Sequence, residues 1–162
     1  MSATRTRTKR RRKRAAAPAI RFGTDGWRGL IARDFNRENV DLVARALARY
    51  LVEFEDIRKG VFVAYDTRFS ADRFARRVAE VLTSVGVNIK LASAPTPTPA
   101  LSYAVRHHGA AAGIVLTASH NPPEWLGIKL KESYGASASP RDRKSTRLNS
   151  SHIQKSRMPS SA

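Results

Sequence analysis

Residues 112–131 read AGIVLTASHNPPEWLGIKLK, and the prediction of the fold starts from this stretch. It opens with an apolar run at 112–117, which is typical of a strand buried on both faces of a sheet. Asn121 then precedes two prolines, and this forces a turn because the residue before a proline is pushed out of the helical region. Residues 127–131 alternate apolar and basic side chains, as a strand does. The stretch therefore predicts two strands joined by a polar turn.

Helical and strand patterns alternate upstream of this stretch. Residues 37–54 place apolar side chains three and four positions apart, with Asn36 available as N-cap, so we expect a helix whose inward face holds Val40, Val43, Ala44, Leu47, Leu51 and Phe54. A strand at 61–65 follows. Ser70 is expected to cap a second helix, which Gly86 closes and whose inward residues are Phe74, Val78, Val81 and Leu82.

The next segments complete the alternation. Residues 87–92 predict a strand, the prolines between 95 and 99 a rigid connector, and residues 100–108 a third helix. Apolar strands separated by helices indicate an α/β fold, which we expect to be a three-layer α/β/α unit with a largely parallel, mixed sheet. Ligands of such sheets bind beyond the carboxyl ends of the strands, and this selects the loops at 66–68 and 118–123.

A glycine-rich segment precedes the first helix. Residues 23–29 read GTDGWRG between apolar flanks, with an Asp25-Gly26 pair at the centre, so we expect a strand, a turn and a second strand. The glycines would let the backbone approach an anionic ligand, and the Arg28 guanidinium can grip a phosphate at two points. A plain hairpin turn explains the glycines equally well.

Ser119 leaves the buried strand at the start of the turn. A protease-like triad is disfavoured, because His120 is the adjacent residue and would point to the opposite side of an extended chain. Phosphoryl chemistry suits the segment better, since Ser119 offers a hydroxyl to carry the group while His120 and Asn121 offer donors to its oxygens. The alternative is an ordinary polar turn.

Two lysines follow on the next strand. Lys129 and Lys131 share one face of it, while Ile128 and Leu130 face the core. They could neutralise a phosphoserine, which carries about two negative charges. Lys129 could also act as a general base if burial beside another cation favours loss of its proton. A solvated edge strand is the alternative.

The chain has a net charge of +17, and its ends hold most of it. Residues 1–14 contain eight Lys or Arg and no acid, and residues 15–140 carry only +4. A body so close to neutrality favours an enzyme over a nucleic-acid binder, although residues 5–14 could contact nucleic acid. There is no cysteine and no apolar run of the roughly 20 residues that span a bilayer, so we expect no membrane partner and a cytoplasmic location.

Taken together, FGTDGWRG, YDTR, PTPTPAL and TASHNPPEWLGIKL occur in an order that resembles the α-D-phosphohexomutase family, the phosphoglucomutases and phosphomannomutases. The resemblance covers about residues 20–140 and corresponds to the N-terminal domain I of that family. It implies an isomerase, an intramolecular phosphotransferase that interconverts hexose 1-phosphate and 6-phosphate through a phosphoserine and a bisphosphorylated intermediate in carbohydrate metabolism.

The resemblance also implies roles for individual residues. Ser119 would be the phosphoserine and a Mg²⁺ ligand, Lys129 a general base or acid, and His120 a further catalytic residue of the loop. Arg28 and Asn121 would bind phosphate, and the partner would be a hexose phosphate. The remaining Mg²⁺ ligands and the sugar-selecting loop would lie outside this sequence, so we expect no turnover from this chain alone.

These patterns divide the chain into three parts. We expect residues 1–19 to form a disordered basic arm and residues 20–140 the phosphohexomutase domain I. Residues 141–162 resemble the translation of a DNA sequencing adapter, and we expect them to be disordered and not native. Two alternatives remain: a basic nucleic-acid-associated protein that keeps a mutase-like scaffold, and a regulatory paralogue, for which Leu126 is an argument because the family usually has asparagine there.

Overall fold

The computed structural model describes residues 20, 22–23 and 25–137, which form one sheet with helices on both faces. The predicted basic arm at 1–19 and the predicted tail at 141–162 lie outside the described residues. Residues 5–14, which could contact nucleic acid, lie outside them too. None of the described helices is both long enough and apolar enough to cross a bilayer.

The sheet has five strands in the order β1-β5-β4-β2-β3. They are β1 (Trp27–Leu30), β2 (Val61–Tyr65), β3 (Ile89–Leu91), β4 (Ala112–Leu116) and β5 (Trp125–Glu132). Strand β2 pairs in parallel with β3 and β4, whereas β5 runs antiparallel to both β4 and β1. The α/β class is confirmed, and the sheet is mixed, with two parallel and two antiparallel pairings.

Three α-helices cover the two faces of the sheet: α1 (Arg37–Phe54), α2 (Ala71–Thr83) and α3 (Thr98–His107), with a short 3₁₀ turn at Ile57–Lys59. The apolar sides of α1 and α2 form the main core with one face. Helix α3 packs Leu101 and Val105 against Ala64 and Val115 on the other face. The predicted three-layer arrangement is therefore confirmed.

Helix ends show where local patterns succeed and fail. Asn36 caps α1 as predicted, since its Oδ1 accepts from the Asn39 amide at 3.0 Å. Ser70 makes no side-chain cap, because its backbone is left-handed (φ 59°) and not extended as an N-cap requires.

Two further details of the helices differ from the expectation. Phe54 is 48% exposed, since the last residue of α1 extends past the core and its ring packs on Tyr50. Helix α3 begins at Thr98, because Pro99 is tolerated in a first helical turn.

The expected strand-turn-strand unit at the start of the domain is wrong. Strand β1 pairs with β5, with Trp27 opposite Ile128 and Leu30 opposite Trp125. The segment before it contributes only a tight turn in which the Gly23 amide donates to the Gly26 carbonyl at 2.8 Å. The glycine-rich segment is thereby attached to a strand about 100 residues further along the chain.

Asp41 and Arg77 link α1 to α2, with Arg77 Nε and Nη2 lying 2.6 and 2.9 Å from the two Asp41 oxygens. These bonds outweigh the effect of burial and lower the pKa of Asp41. We expect Asp41→Asn to reduce the free energy of unfolding by about 1 kcal/mol, since a charged hydrogen-bonded pair is lost at a partly exposed site. Urea unfolding measures this. Glu80→Gln is the control, because Glu80 meets the same guanidinium but is 63% exposed, and its effect should stay within about 0.5 kcal/mol.

Candidate active site

The two loops selected by the sheet rule meet at one edge of the sheet. Strands β2 and β4 are parallel neighbours, so their carboxyl ends lie side by side, with Tyr65 opposite Leu116. The Asp66 amide donates to the Leu116 carbonyl at 3.1 Å and joins the two loops at their base. This edge holds the predicted serine segment.

The sequence pattern predicted an extended backbone at Ser119, but Ser119 lies in a tight turn. Its φ is 57°, its amide donates to Thr117 Oγ1 at 3.0 Å, and the Asn121 amide donates back to the Ala118 carbonyl at 3.1 Å. Ser119 and His120 are both exposed. No described residue hydrogen-bonds to the Ser119 hydroxyl, so the described part of the chain offers no triad base and leaves this oxygen open to a reactant.

Arg68 holds the serine loop from the neighbouring strand end. Its Nη2 donates to the carbonyls of Ser119 and Asn121, each at 2.7 Å, and its Nη1 donates to those of Pro122 at 2.7 Å and Trp125 at 3.0 Å. The sequence pattern selected the 66–68 loop but gave Arg68 no role. The available signal was the position of Arg68 directly after a buried strand.

Two of the predicted phosphate-binding residues touch each other. Arg28, on β1, donates from Nη1 to Asn121 Oδ1 at 2.7 Å. Two arginines therefore hold Asn121: Arg28 donates to its side chain, and Arg68 donates to its backbone carbonyl. The contact places an arginine of the first strand against the serine loop.

Lys129 and Lys131 meet on the carboxylate of Asp25. Lys129 Nζ donates to Asp25 Oδ2, and Lys131 Nζ lies 3.7 Å from Asp25 Oδ1. Ser137 bridges the pair, accepting from Lys131 and donating to Asp25, each at 2.7 Å. The two lysine side chains are 8% and 11% exposed and β5 lies between β1 and β4, so the edge-strand alternative is wrong.

Asp25 is the central anion of this group. Arg28 Nη2 is 3.8 Å from its Oδ2, so three cations share one carboxylate. Partial burial would raise the pKa of Asp25, but hydrogen bonds from Lys129 and Ser137, together with the charges of both lysines, hold that pKa below its usual value. The sequence pattern gave Asp25 no role in the site, because it was interpreted as part of a hairpin turn.

Two glycines allow the close approach of β1 and β5. Gly26 has a φ of 106°, and an added methyl group would overlap the Ile128 carbonyl. At Gly127 a methyl group would lie 2.6 Å from the Trp27 carbonyl and 2.9 Å from Arg28 Cγ. The absence of both side chains brings the Asp25 turn over β5 and leaves room for Arg28.

The residue that departs from the family pattern lies away from this group. Leu126 is fully buried in the main core, together with Ile128 and Leu130. Lys129 and Lys131 project from the other face of the same strand, because successive residues of a strand point to opposite sides. The substitution therefore changes the core layer and not the lysine face.

The described residues offer few ligands for a metal ion. Among them, no group of three His, Asp, Glu or Cys side chains could hold one. Ser119 has no carboxylate neighbour that bonds to it there. Magnesium prefers several oxygen ligands, so the described residues do not by themselves make a Mg²⁺ site.

Comparison with known proteins identifies the architecture. A family model described as phosphoglucomutase/phosphomannomutase, alpha/beta/alpha domain I, matches residues 19–155. The chain belongs to the phosphoglucomutase/phosphomannomutase family. A protein of Thermus thermophilus, whose crystal structure is described as that of a candidate phosphomannomutase, has a TM-score of 0.75 and 43% identity over 85% of this chain and 31% of its own.

Curated relatives of this family resemble the chain over a similar stretch. A phosphoglucomutase of Staphylococcus haemolyticus is 38% identical over 72% of this chain and 22% of its own length. A phosphoglucosamine mutase of Caldicellulosiruptor bescii is 42% identical over 70% of this chain and 25% of its own. The chain thus spans about a quarter of the length of these phosphohexomutases.

Replacement of Gly26 tests the contact between the Asp25 turn and β5. We expect Gly26→Ala to cost about 1 to 3 kcal/mol more than Gly86→Ala, because both positions have positive φ but only Gly26 faces a backbone atom. Urea unfolding followed by tryptophan fluorescence suits this test, since Trp27 and Trp125 lie on the paired strands. Equal losses for the two variants would contradict the close approach.

Replacement of Asp25 tests the charge balance. Because the pKa of Asp25 is lowered in the folded protein, its carboxylate stabilises the fold above the usual value of about 3.9, and this contribution is lost as the pH falls through the lowered value. We expect the difference in unfolding free energy between wild type and Asp25→Asn to be full at neutral pH and to shrink in acid. Asp72→Asn, on α2, is the control variant for this pH dependence of the unfolding free energy. A difference independent of pH would argue against the ion cluster.

Proposed function

We propose that this domain carries the phosphoryl group of a hexose-phosphate mutase on Ser119. The observation that carries the proposal is the position of the Ser119 hydroxyl, which is exposed at the carboxyl edge of the sheet on a turn fixed by Thr117 and Arg68. A nucleophile that exchanges a group with a bound sugar needs this combination of access and fixed direction.

The proposed reaction consists of two balanced transfers. The phosphoryl group leaves Ser119 Oγ as its P–O bond breaks, and Ser119 Oγ takes up a proton from an acid. A new P–O bond forms to a free hydroxyl of a hexose monophosphate, whose proton passes to a base. The resulting bisphosphate turns over in the site, and its other phosphoryl group returns to Ser119. The net change interconverts the 1-phosphate and 6-phosphate of the sugar.

The surrounding residues support this chemistry through charge. Arg28 lies against the serine loop through Asn121, and its guanidinium suits bidentate binding of phosphate oxygens. Lys129 donates a hydrogen bond to Asp25, so we propose that it acts in its ammonium form, as an acid and as a countercharge to the transferring group. His120 is exposed beside Ser119 and is proposed as a donor to the phosphoryl oxygens.

Three further parts of the proposal are the metal, the substrate and the location. Mg²⁺ would neutralise the phosphoserine with Ser119 as one ligand, and its remaining oxygens would come from elsewhere; none of the steps above depends on it. The substrate is proposed only as a hexose phosphate, because the names of the relatives differ in the sugar. A cytoplasmic location fits a metabolic enzyme without cysteine.

Phosphoryl transfer to Ser119 is directly measurable. After incubation with glucose 1,6-bisphosphate and Mg²⁺, we expect the intact mass of the chain to rise by one phosphoryl group, and Ser119→Ala to abolish the gain. Ser84→Ala is the matched control, because Ser84 lies at the end of α2 and its hydroxyl donates to the Val81 carbonyl. Labelling that survives in Ser119→Ala would reject Ser119 as the carrier. We expect no net conversion of glucose 1-phosphate, since the described residues include the carrier but little to bind the sugar.

A further inference from the structure

Arg68 donates four of its five guanidinium N–H groups inside the protein and holds the fifth beside a carboxylate. Four go to the carbonyls of residues 119, 121, 122 and 125, and Nε lies 3.3 Å from Asp66 Oδ2. The side chain is only 13% exposed. Asp66 also accepts from the Arg68 amide at 3.0 Å, so the ion pair is itself fixed to the end of β2.

We propose that Arg68 is the positioning residue of the serine loop: it fixes the direction of the Ser119 hydroxyl for phosphoryl transfer and does not bind the phosphate. This inference rests on the proposed function of Ser119. It divides the two arginines of the site, because Arg28 has only one hydrogen bond, to the Asn121 side chain, and a longer ion pair, whereas Arg68 gives four of its N–H groups to loop carbonyls and keeps Nε beside Asp66.

The loop needs such a partner because its own backbone supplies few bonds. Pro122 and Pro123 have no N–H, and among the described contacts within the loop only the Ser119, Asn121 and Trp125 amides bond to neighbouring residues. Ser119 also has a left-handed backbone, which costs a non-glycine residue about 1 to 2 kcal/mol. Such a conformation persists only where the surroundings over-determine it, and four carbonyl contacts to one rigid fork do so.

A lysine cannot replace this arrangement. Its ammonium offers three donors from a single point, whereas the guanidinium presents its donors in a plane along three directions. Arg68→Lys keeps the charge beside Asp66 but can reach only part of the four carbonyls. The variant therefore separates the charge of Arg68 from its geometry.

The test combines loop protection with phosphoryl transfer in the full chain. For Arg68→Lys we expect faster hydrogen exchange at the Asn121 and Trp125 amides, unchanged exchange at Ile114 in β4, and phosphorylation of Ser119 from glucose 1,6-bisphosphate that is slower by on the order of tenfold to a hundredfold. For Arg68→Ala we expect millimolar guanidinium to restore part of the rate. Arg73→Lys, an exposed arginine on α2, is the matched control and should change neither readout.

The outcomes separate this inference from the proposed function. If the wild-type chain accepts no phosphoryl group, the proposed function fails, while the exchange data still decide whether Arg68 holds the loop. Normal exchange and a normal rate in Arg68→Lys would overturn the inference, and so would faster exchange with an unchanged rate. If Arg68→Ala does not fold, Asp66→Asn is the second variant, and it should loosen the same amides without affecting those of β4.

Discussion

The site depends on the insertion of β5 between β1 and β4. Because successive residues of a strand point to opposite faces, one face of β5 places Leu126, Ile128 and Leu130 in the main core, and the other directs Lys129 and Lys131 toward the Asp25 turn. The same pairing brings Arg28 next to the serine loop. Strand β5 pairs with β1 on one side and β4 on the other, and in this way brings the glycine-rich segment close to the serine segment.

Charge imposes the second constraint. Two lysines that are nearly inaccessible to water need a compensating anion, since an unpaired buried ammonium is costly. Asp25 supplies that anion, and Ser137 completes its hydrogen bonds. The arrangement keeps the two lysines of β5 paired with one carboxylate, and one of them, Lys129, is a cation that the proposed function assigns to the phosphoryl group. It also shows how a body with little net charge can hold three cations close together.

The serine loop has a strained backbone at Ser119, and hydrogen bonds from Arg68 stabilise it. A left-handed serine followed by two prolines gives an exposed hydroxyl, and the cost of that geometry is offset by bonds from a different strand end. Loops built in this way are common where catalysis needs both access and precision, because the scaffold fixes what the loop cannot fix itself. The parallel pairing of β2 and β4 is what places the supporting arginine within reach.

Sequence periodicity was enough to predict the helices, the central strands, the three-layer class and the edge at which Ser119 lies, because these depend on which residues avoid water and on where prolines and glycines stop an element. The chemistry of individual side chains and the family resemblance, and not periodicity, selected Arg28, Asn121 and Lys129. Three features became visible only in the folded chain: β1 pairs with β5, Asp25 collects both lysines, and Arg68 holds the loop. They depend on contacts between residues about 50 to 110 positions apart, for which a local pattern has no signal.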